Sequence, residues 1–150
     1  MTWPLEYQRA AQDFERFMLA ARDASGLATT NMAWTMTQGV LLTFRRRLSV
    51  RDAIAFANVL PPLLRALFLD DWNPDEPPAP FGSREDQTRE AQSLRAEHNF
   101  SPDHAIEAVA TALHQCVDAA TLERVLDRLP PEARAFWAVP APGARPAGGG

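Results

Sequence analysis

The sequence contains no lysine; all 15 of its basic residues are arginine. It has a single cysteine, Cys116, and no long apolar run. Each shortage excludes something. One cysteine cannot close an intrachain disulfide, so the chain reads as a protein of a reducing compartment. A bilayer-crossing helix needs about 20 mostly apolar residues. The greasiest stretch, Ala53 to Leu69, is interrupted by Asn58, Pro61, Pro62 and Arg65, so no membrane partner is expected. Residues Met1 to Tyr7 lack a basic region followed by an apolar core, and a cytoplasmic location is expected. There is no Gly-x-Ser-x-Gly, no Cys-x-x-Cys and no glycine-rich phosphate loop. The missing lysine, with abundant alanine and proline, is explained by GC-rich codons in a bacterial genome without any binding role for arginine.

Positive charge is also in short supply. The formal net charge is −4. Residues 1–74 carry eight Arg against seven acids, and residues 75–150 carry seven Arg against 12 acids. Proteins built mainly to bind nucleic acid draw much of their affinity from phosphate neutralisation. Nucleic acid is therefore an unlikely principal partner, although a local basic patch is compatible with this balance.

What the chain does have is helical periodicity. Tyr7, Ala10, Ala11, Phe14, Phe17, Met18 and Ala21 recur at three- and four-residue steps and predict a helix over 5–24, stopped at Ser25-Gly26. Ala33, Met36, Val40, Phe44 and Leu48 predict a second helix over 31–47, in which Gly39 weakens the helix or marks a close helix contact. Ser49 and Asp52 cap a third helix, striped by Ala53, Phe56, Ala57 and Leu60. Pro61-Pro62 ends it and opens a short fourth, with Leu63, Leu64, Leu67 and Phe68 inside and Arg65 outside.

Asn73 to Gly82 is proline-rich and reads as an extended linker. Ser83 with Asp86 starts a fifth helix that runs to about Asn99 with a thin stripe of Ala91 and Leu94. Ser101-Pro102 opens a sixth, lined by Ala105, Val109, Ala112, Leu113, Cys116 and Val117. Leu122, Val125, Leu126 and Leu129 define a seventh; after Pro130-Pro131, Ala133, Phe136 and Trp137 define an eighth. The Pro/Gly-rich stretch from residue 139 reads as a disordered tail. No strand-like alternation is present.

The halves repeat. Leu60-Pro61-Pro62-Leu63-Leu64-Arg65-Ala66-Leu67-Phe68 returns 69 residues later as Leu129-Pro130-Pro131-Glu132-Ala133-Arg134-Ala135-Phe136-Trp137, with five of nine positions identical. The same offset pairs Val40 with Val109, Phe44 with Leu113, Phe56 with Val125 and Ala57 with Leu126, whereas the front parts match loosely. The predicted fold is all-α, a helical bundle of about eight helices in two tandem related repeats. Repeat A spans 1–72, the linker 73–82, repeat B 83–138 and the tail 139–150.

These residues resemble a known pattern. Arg47-Leu48-Ser49, Asp52-Ala53, Leu60-Pro61 with Leu63-Leu64-Arg65, and Asp71-Trp72 are similar to the bacterial family known as domain of unknown function 2267. Leu129-Pro130 and Arg134-Ala135-Phe136-Trp137 show the same ending. The resemblance covers most of residues 5–138. It implies an all-helical, cytoplasmic, bacterial protein with this duplication, and it implies no activity and no catalytic residues.

Several side-chain groups invite a functional reading. Arg45, Arg46 and Arg47, with Arg51 nearby, form the one basic cluster. Stabilisation of cations at a helix C-terminus, about 0.3–1 kcal/mol each, explains it without a ligand; a phosphate-rich or acidic partner is the alternative. Arg65 and Arg134 occupy equivalent places after the two corners, where a partner contact competes with a purely structural role. His104, Glu107, Thr111 and His114 share one helical face, but their order and spacing suit a solvated face better than a metal site. Asp71, Asn73 and Asp75 mimic the start of a calcium loop without its glycine and final glutamate. Cys116 lies in an apolar stripe and is expected to be inert.

No catalytic, metal or cofactor site is expected. The reading is a non-enzymatic interaction or regulatory module presenting helical surface to a protein partner or to a second copy of itself. Among the tryptophans, Trp34 fits its helical stripe least well and is the preferred interface anchor. The alternative is a ligand- or nucleic-acid-associated regulator using Arg45 to Arg51, and a weaker one is a metal-dependent enzyme.

Overall fold

Local signals account for most of the helix boundaries. The computed structural model describes residues 2–140 and contains nine α-helices among them, with no strand. They are α1 (Leu5–Gln8), α2 (Ala10–Ser25), α3 (Thr30–Arg45), α4 (Val50–Ala57), α5 (Pro62–Leu69), α6 (Arg84–Ser93), α7 (Ala105–Cys116), α8 (Ala119–Leu126) and α9 (Pro131–Trp137). Gly26 closes α2 in the left-handed conformation at φ 78°, a geometry that costs glycine little. Side chains of Thr29, Ser49, Ser83 and Asp118 accept from backbone N–H groups three residues on, which satisfies donors that a helix start leaves unpaired.

Some boundaries differ from the sequence expectation. The first helix is divided at Arg9, because no residue of α1 is buried and nothing packs that turn into register. Tyr7 is accordingly exposed. The fifth helix stops at Ser93 rather than near Asn99. The Asn99 side-chain amide donates to the carbonyls of Ala91 and Leu94 and so caps the shorter helix. Its carbonyl oxygen accepts from both the N–H and the hydroxyl of Ser101, which ties the expected N-cap side chain into a turn, and α7 starts only at Ala105. Leu63, expected inside, is exposed on α5. Val139, expected in the tail, still packs against the core; from residue 141 that expected tail lies outside the described residues.

One core runs through both halves. Its centre is aromatic: Phe44 meets Phe56 at 4.8 Å, Phe136 at 4.9 Å and Trp137 at 5.2 Å between ring centroids. Trp137 also stacks on Phe56 at 5.6 Å. The Trp137 indole N–H has no acceptor, a cost of about 1–3 kcal/mol that burial of the ring more than offsets. Gly39 is the close helix contact: a Cβ there would collide with the Ala91 carbonyl of α6.

The helices pair in a reciprocal way. α2 lies on α7 and α6 lies on α3, while α3 meets α7 and α4 meets α8. An exchange of the chain's halves maps these pairings onto one another, whereas the α2–α5 contact has no equally extensive α6–α9 counterpart. The two proline corners follow one backbone path, with Pro61 at φ −55°, ψ 152° and Pro130 at φ −54°, ψ 150°. Before each corner the last turn tightens, through Leu60 N–H to the Ala57 carbonyl and Leu129 N–H to the Leu126 carbonyl. Phe68 and Trp137, at equivalent positions beyond the corners, are both fully buried.

Candidate functional site

The arginine cluster at the end of α3 does not form one patch: Arg47 is buried, Arg45 half-buried and Arg46 exposed. Arg45 donates to the Phe68 carbonyl at 2.8 Å and the Asp70 carbonyl at 3.0 Å, and its guanidinium lies over the Trp72 ring. Burial lowers its pKa, against an upward pull from Asp70, Asp71 and Glu76. Arg46 pairs with Glu90 at 2.8 Å and Glu76 at 3.5 Å. Arg47 is buried: it pairs with Glu90 at 2.7 Å and donates to the carbonyls of Phe81 and Thr43. Together with the Ala79 N–H, which donates to the Arg46 carbonyl, these arginines strap the proline-rich segment and α6 onto α3. A partner contact through Arg47 is precluded by its burial. Besides the expected place at the helix C-terminus, where Arg47 donates to the Thr43 carbonyl of the last turn of α3, the cluster makes bonds that reach across elements.

The two corner arginines fold back onto the preceding helix. Arg65, expected outside, is half-buried and donates to the carbonyls of Ala57 and Leu60, both at 3.1 Å. Arg134 pairs with Glu123 at 2.6 Å and with Asp127, and these bonds raise its pKa, the one to Glu123 most. Residues 69 places away from those two acids are Ile54 and Asn58. With no carboxylate in reach there, Arg65 takes backbone carbonyls instead.

What remains outward is a groove of about 630 Å³ between α4 and α8. Arg51, Ile54, Ala55, Asn58 and Val59 line it from α4 and its closing turn. Thr121, Arg124, Val125, Asp127 and Arg128 line it from α8 and its closing turn. Ala55 and Val59 correspond by the 69-residue offset to Arg124 and Arg128. The groove thus sets Ala55 and Val59 on the α4 wall, which also carries Arg51 and Asn58, against arginines at equivalent positions on the α8 wall. Ile54 is 50% exposed and Val50, one turn earlier, 40%. Arg51, Arg124 and Arg128 are exposed and enter no ion pair among the described residues, whereas Asp127 is occupied by Arg134. The free charge in the groove is positive.

Of the residues singled out from sequence, only Arg51 belongs to this groove. Ile54, Arg124 and Arg128 were missed, although the signal was present. Ile54 lies off the stripe of Ala53, Phe56, Ala57 and Leu60 on a short helix, and Arg124 and Arg128 are one turn apart. Trp34 stands elsewhere on α3, 38% exposed and edge-on to Phe14 at 5.4 Å. Trp3, Leu5 and Tyr7 are also exposed.

The remaining candidates have local roles. His104 and Glu107 are exposed, but Thr111 and His114 are half-buried, so the expected solvated face is only partly solvated. His114 Nε2 lies 2.8 Å from the Trp137 carbonyl; a carbonyl only accepts, so Nε2 carries the proton. Among the described residues, no three of His, Cys, Asp and Glu gather as a metal site. Asn73 accepts from the Asp75 N–H in a tight turn. Cys116 is half-buried; burial raises its pKa, against a smaller downward effect of Arg16. No helix among the described residues is long and apolar enough to cross a membrane.

The family described as an uncharacterized conserved protein (DUF2267) matches residues 14–136. No curated protein matches the chain.

Proposed function

Because the chain belongs to the DUF2267 family of uncharacterized conserved proteins, a description that carries no activity, we propose its role from geometry: a non-enzymatic helical module that presents the α4–α8 groove to a protein partner in the bacterial cytoplasm. One observation carries this reading. The groove combines apolar side chains, Ile54, Ala55 and Val59, with three exposed arginines that enter no ion pair among the described residues, whereas Arg46 and Arg47 are paired with Glu90. An exposed apolar strip rimmed by unpaired charge is the ordinary composition of a protein-docking surface.

The experiment is affinity capture from the native cell extract with the wild-type chain and with Ile54→Asp. Ile54 is half-exposed, so the variant keeps the fold, which circular dichroism checks. The expected outcome is a partner retained by the wild type and lost with Ile54→Asp. Retention by both proteins would move the docking surface away from the groove, with Trp34 next in line. A stoichiometric metal or nucleotide on the purified chain would replace the reading with an enzymatic one.

A further inference from the structure

We infer that the α4–α8 groove takes an acidic amphipathic helix of its protein partner, apolar side chains against α4 and carboxylates against α8. The inference rests on the proposed interaction role and adds the chemistry and orientation of the occupant. Arg124 and Arg128 stand one helical turn apart, about 6 Å along the axis. Carboxylates at i and i+4 on a facing helix have the same spacing. Across the groove, Ala55 and Val59 repeat that spacing with half-buried apolar side chains, beside the exposed Ile54. A helix lying between the two walls therefore meets an apolar stripe on one side and a cationic stripe on the other, which is the pattern of helix-in-groove recognition.

The charge is local. The whole chain is acidic at −4, yet the groove lining carries three arginines against one carboxylate, Asp127, which shares Arg134 with Glu123. The groove lining contains no aromatic side chain. Single-stranded nucleic acid binds on aromatic stacking platforms, so the apolar wall suits aliphatic side chains of a helix better than bases.

The test is fluorescence anisotropy of the full chain with a labelled helical peptide carrying Glu at i and i+4 beside a Leu stripe. The controls are a peptide of the same composition in scrambled order and a single-stranded oligonucleotide. The expected result is binding of the patterned peptide over the scrambled one, weakened about tenfold or more by Arg124→Glu with Arg128→Glu and weakened as salt rises. Arg9→Glu with Arg89→Glu, an equal charge change on exposed residues outside the groove, leaves binding unchanged. Equal binding of both peptides, or an equal loss with the two double variants, overturns the assignment. Preferential, groove-dependent binding of the oligonucleotide overturns it in favour of nucleic acid, and dimerisation abolished by the groove variant overturns it in favour of a second copy. If the patterned peptide fails while Ile54→Asp still loses a captured partner, the acidic-helix assignment fails and the interaction role stands.

Discussion

The corner at Leu60–Pro62 and the corner at Leu129–Pro131 share a backbone path and are held by different side chains. Beyond the first, Arg45 donates to the Phe68 carbonyl; beyond the second, His114 donates to the Trp137 carbonyl, at the same 2.8 Å and the same 69-residue offset. Arg65 grips carbonyls where Arg134 grips carboxylates. The two corners share their buried leucine and their buried aromatic, while the side chains around them differ. Ala55 and Val59 stand on one wall of the groove and Arg124 and Arg128 on the other, so the groove is asymmetric although α4 and α8 occupy equivalent places before the two corners.

The largest expected effect tests the shared interior. Leu60→Ala and Leu129→Ala should each cost about 2–5 kcal/mol, from lost burial and the cavity left behind. Both leucines are nearly fully buried before a proline corner, so their urea midpoints should fall together. A large loss for one and almost none for the other would break the equivalence of the corners.

Position 47 and its counterpart 116 come next. Arg47→Ala removes the buried partner of Glu90, which keeps its exposed bond to Arg46, together with the bonds to the Phe81 and Thr43 carbonyls, and the cost should be about 3 kcal/mol. That is near the lower end for breaking a buried ion pair, because Glu90 is 25% exposed. Cys116→Ala, half-buried and unpaired, should cost under about 1 kcal/mol. Equal losses in parallel urea series would show that Arg47 does not strap α6 to α3.

The corner arginines separate by salt. Arg65→Ala removes half-buried bonds to carbonyls, worth about 1–2 kcal/mol, and this loss should persist at high ionic strength. Arg134→Ala removes exposed ion pairs, so its smaller effect should fade as salt screens them. Thermal unfolding of both variants across a salt series reads this directly, and a salt-insensitive Arg134→Ala would contradict it.

The smallest effect distinguishes the caps of α4 and α8. The Thr121 backbone N–H, and then its hydroxyl, holds the Asp118 carboxyl below the usual range. A depressed folded pKa contributes stability that is fully present above the unfolded aspartate value of about 3.9 and is lost as pH falls through the lowered folded value. The cost of Asp118→Ala should therefore shrink in acid. Ser49→Ala should cost about 0.5–2 kcal/mol with no such trend. Parallel pH profiles for the two variants would refute the assignment.

Features set by neighbours in the chain were legible in the sequence. The caps at Ser49 and Ser83, the stop at Gly26, both proline corners and the core stripes each depend on a few adjacent residues. The features that were not legible depend on distant partners. Arg47 is buried because Glu90 and Phe81 reach it from a segment that looked like a loose linker and a thinly striped helix. Ser101 reads as an N-cap, but its hydroxyl and its N–H both donate to Asn99. The groove was only partly legible: Ile54, Arg124 and Arg128 carried their signal, but facing walls are created by α4 meeting α8, and no local pattern announces that contact.

The central claim is that docking belongs to the α4–α8 groove and not to the Arg45–Arg47 cluster. The most direct measurement is a backbone amide chemical-shift map of the chain titrated with the patterned acidic peptide. The account predicts the largest shifts at residues 50–59 and 121–128, with Arg45, Arg46 and Arg47 little changed. Largest shifts at Arg45 to Arg47 or around Trp34, with the groove silent, would contradict it.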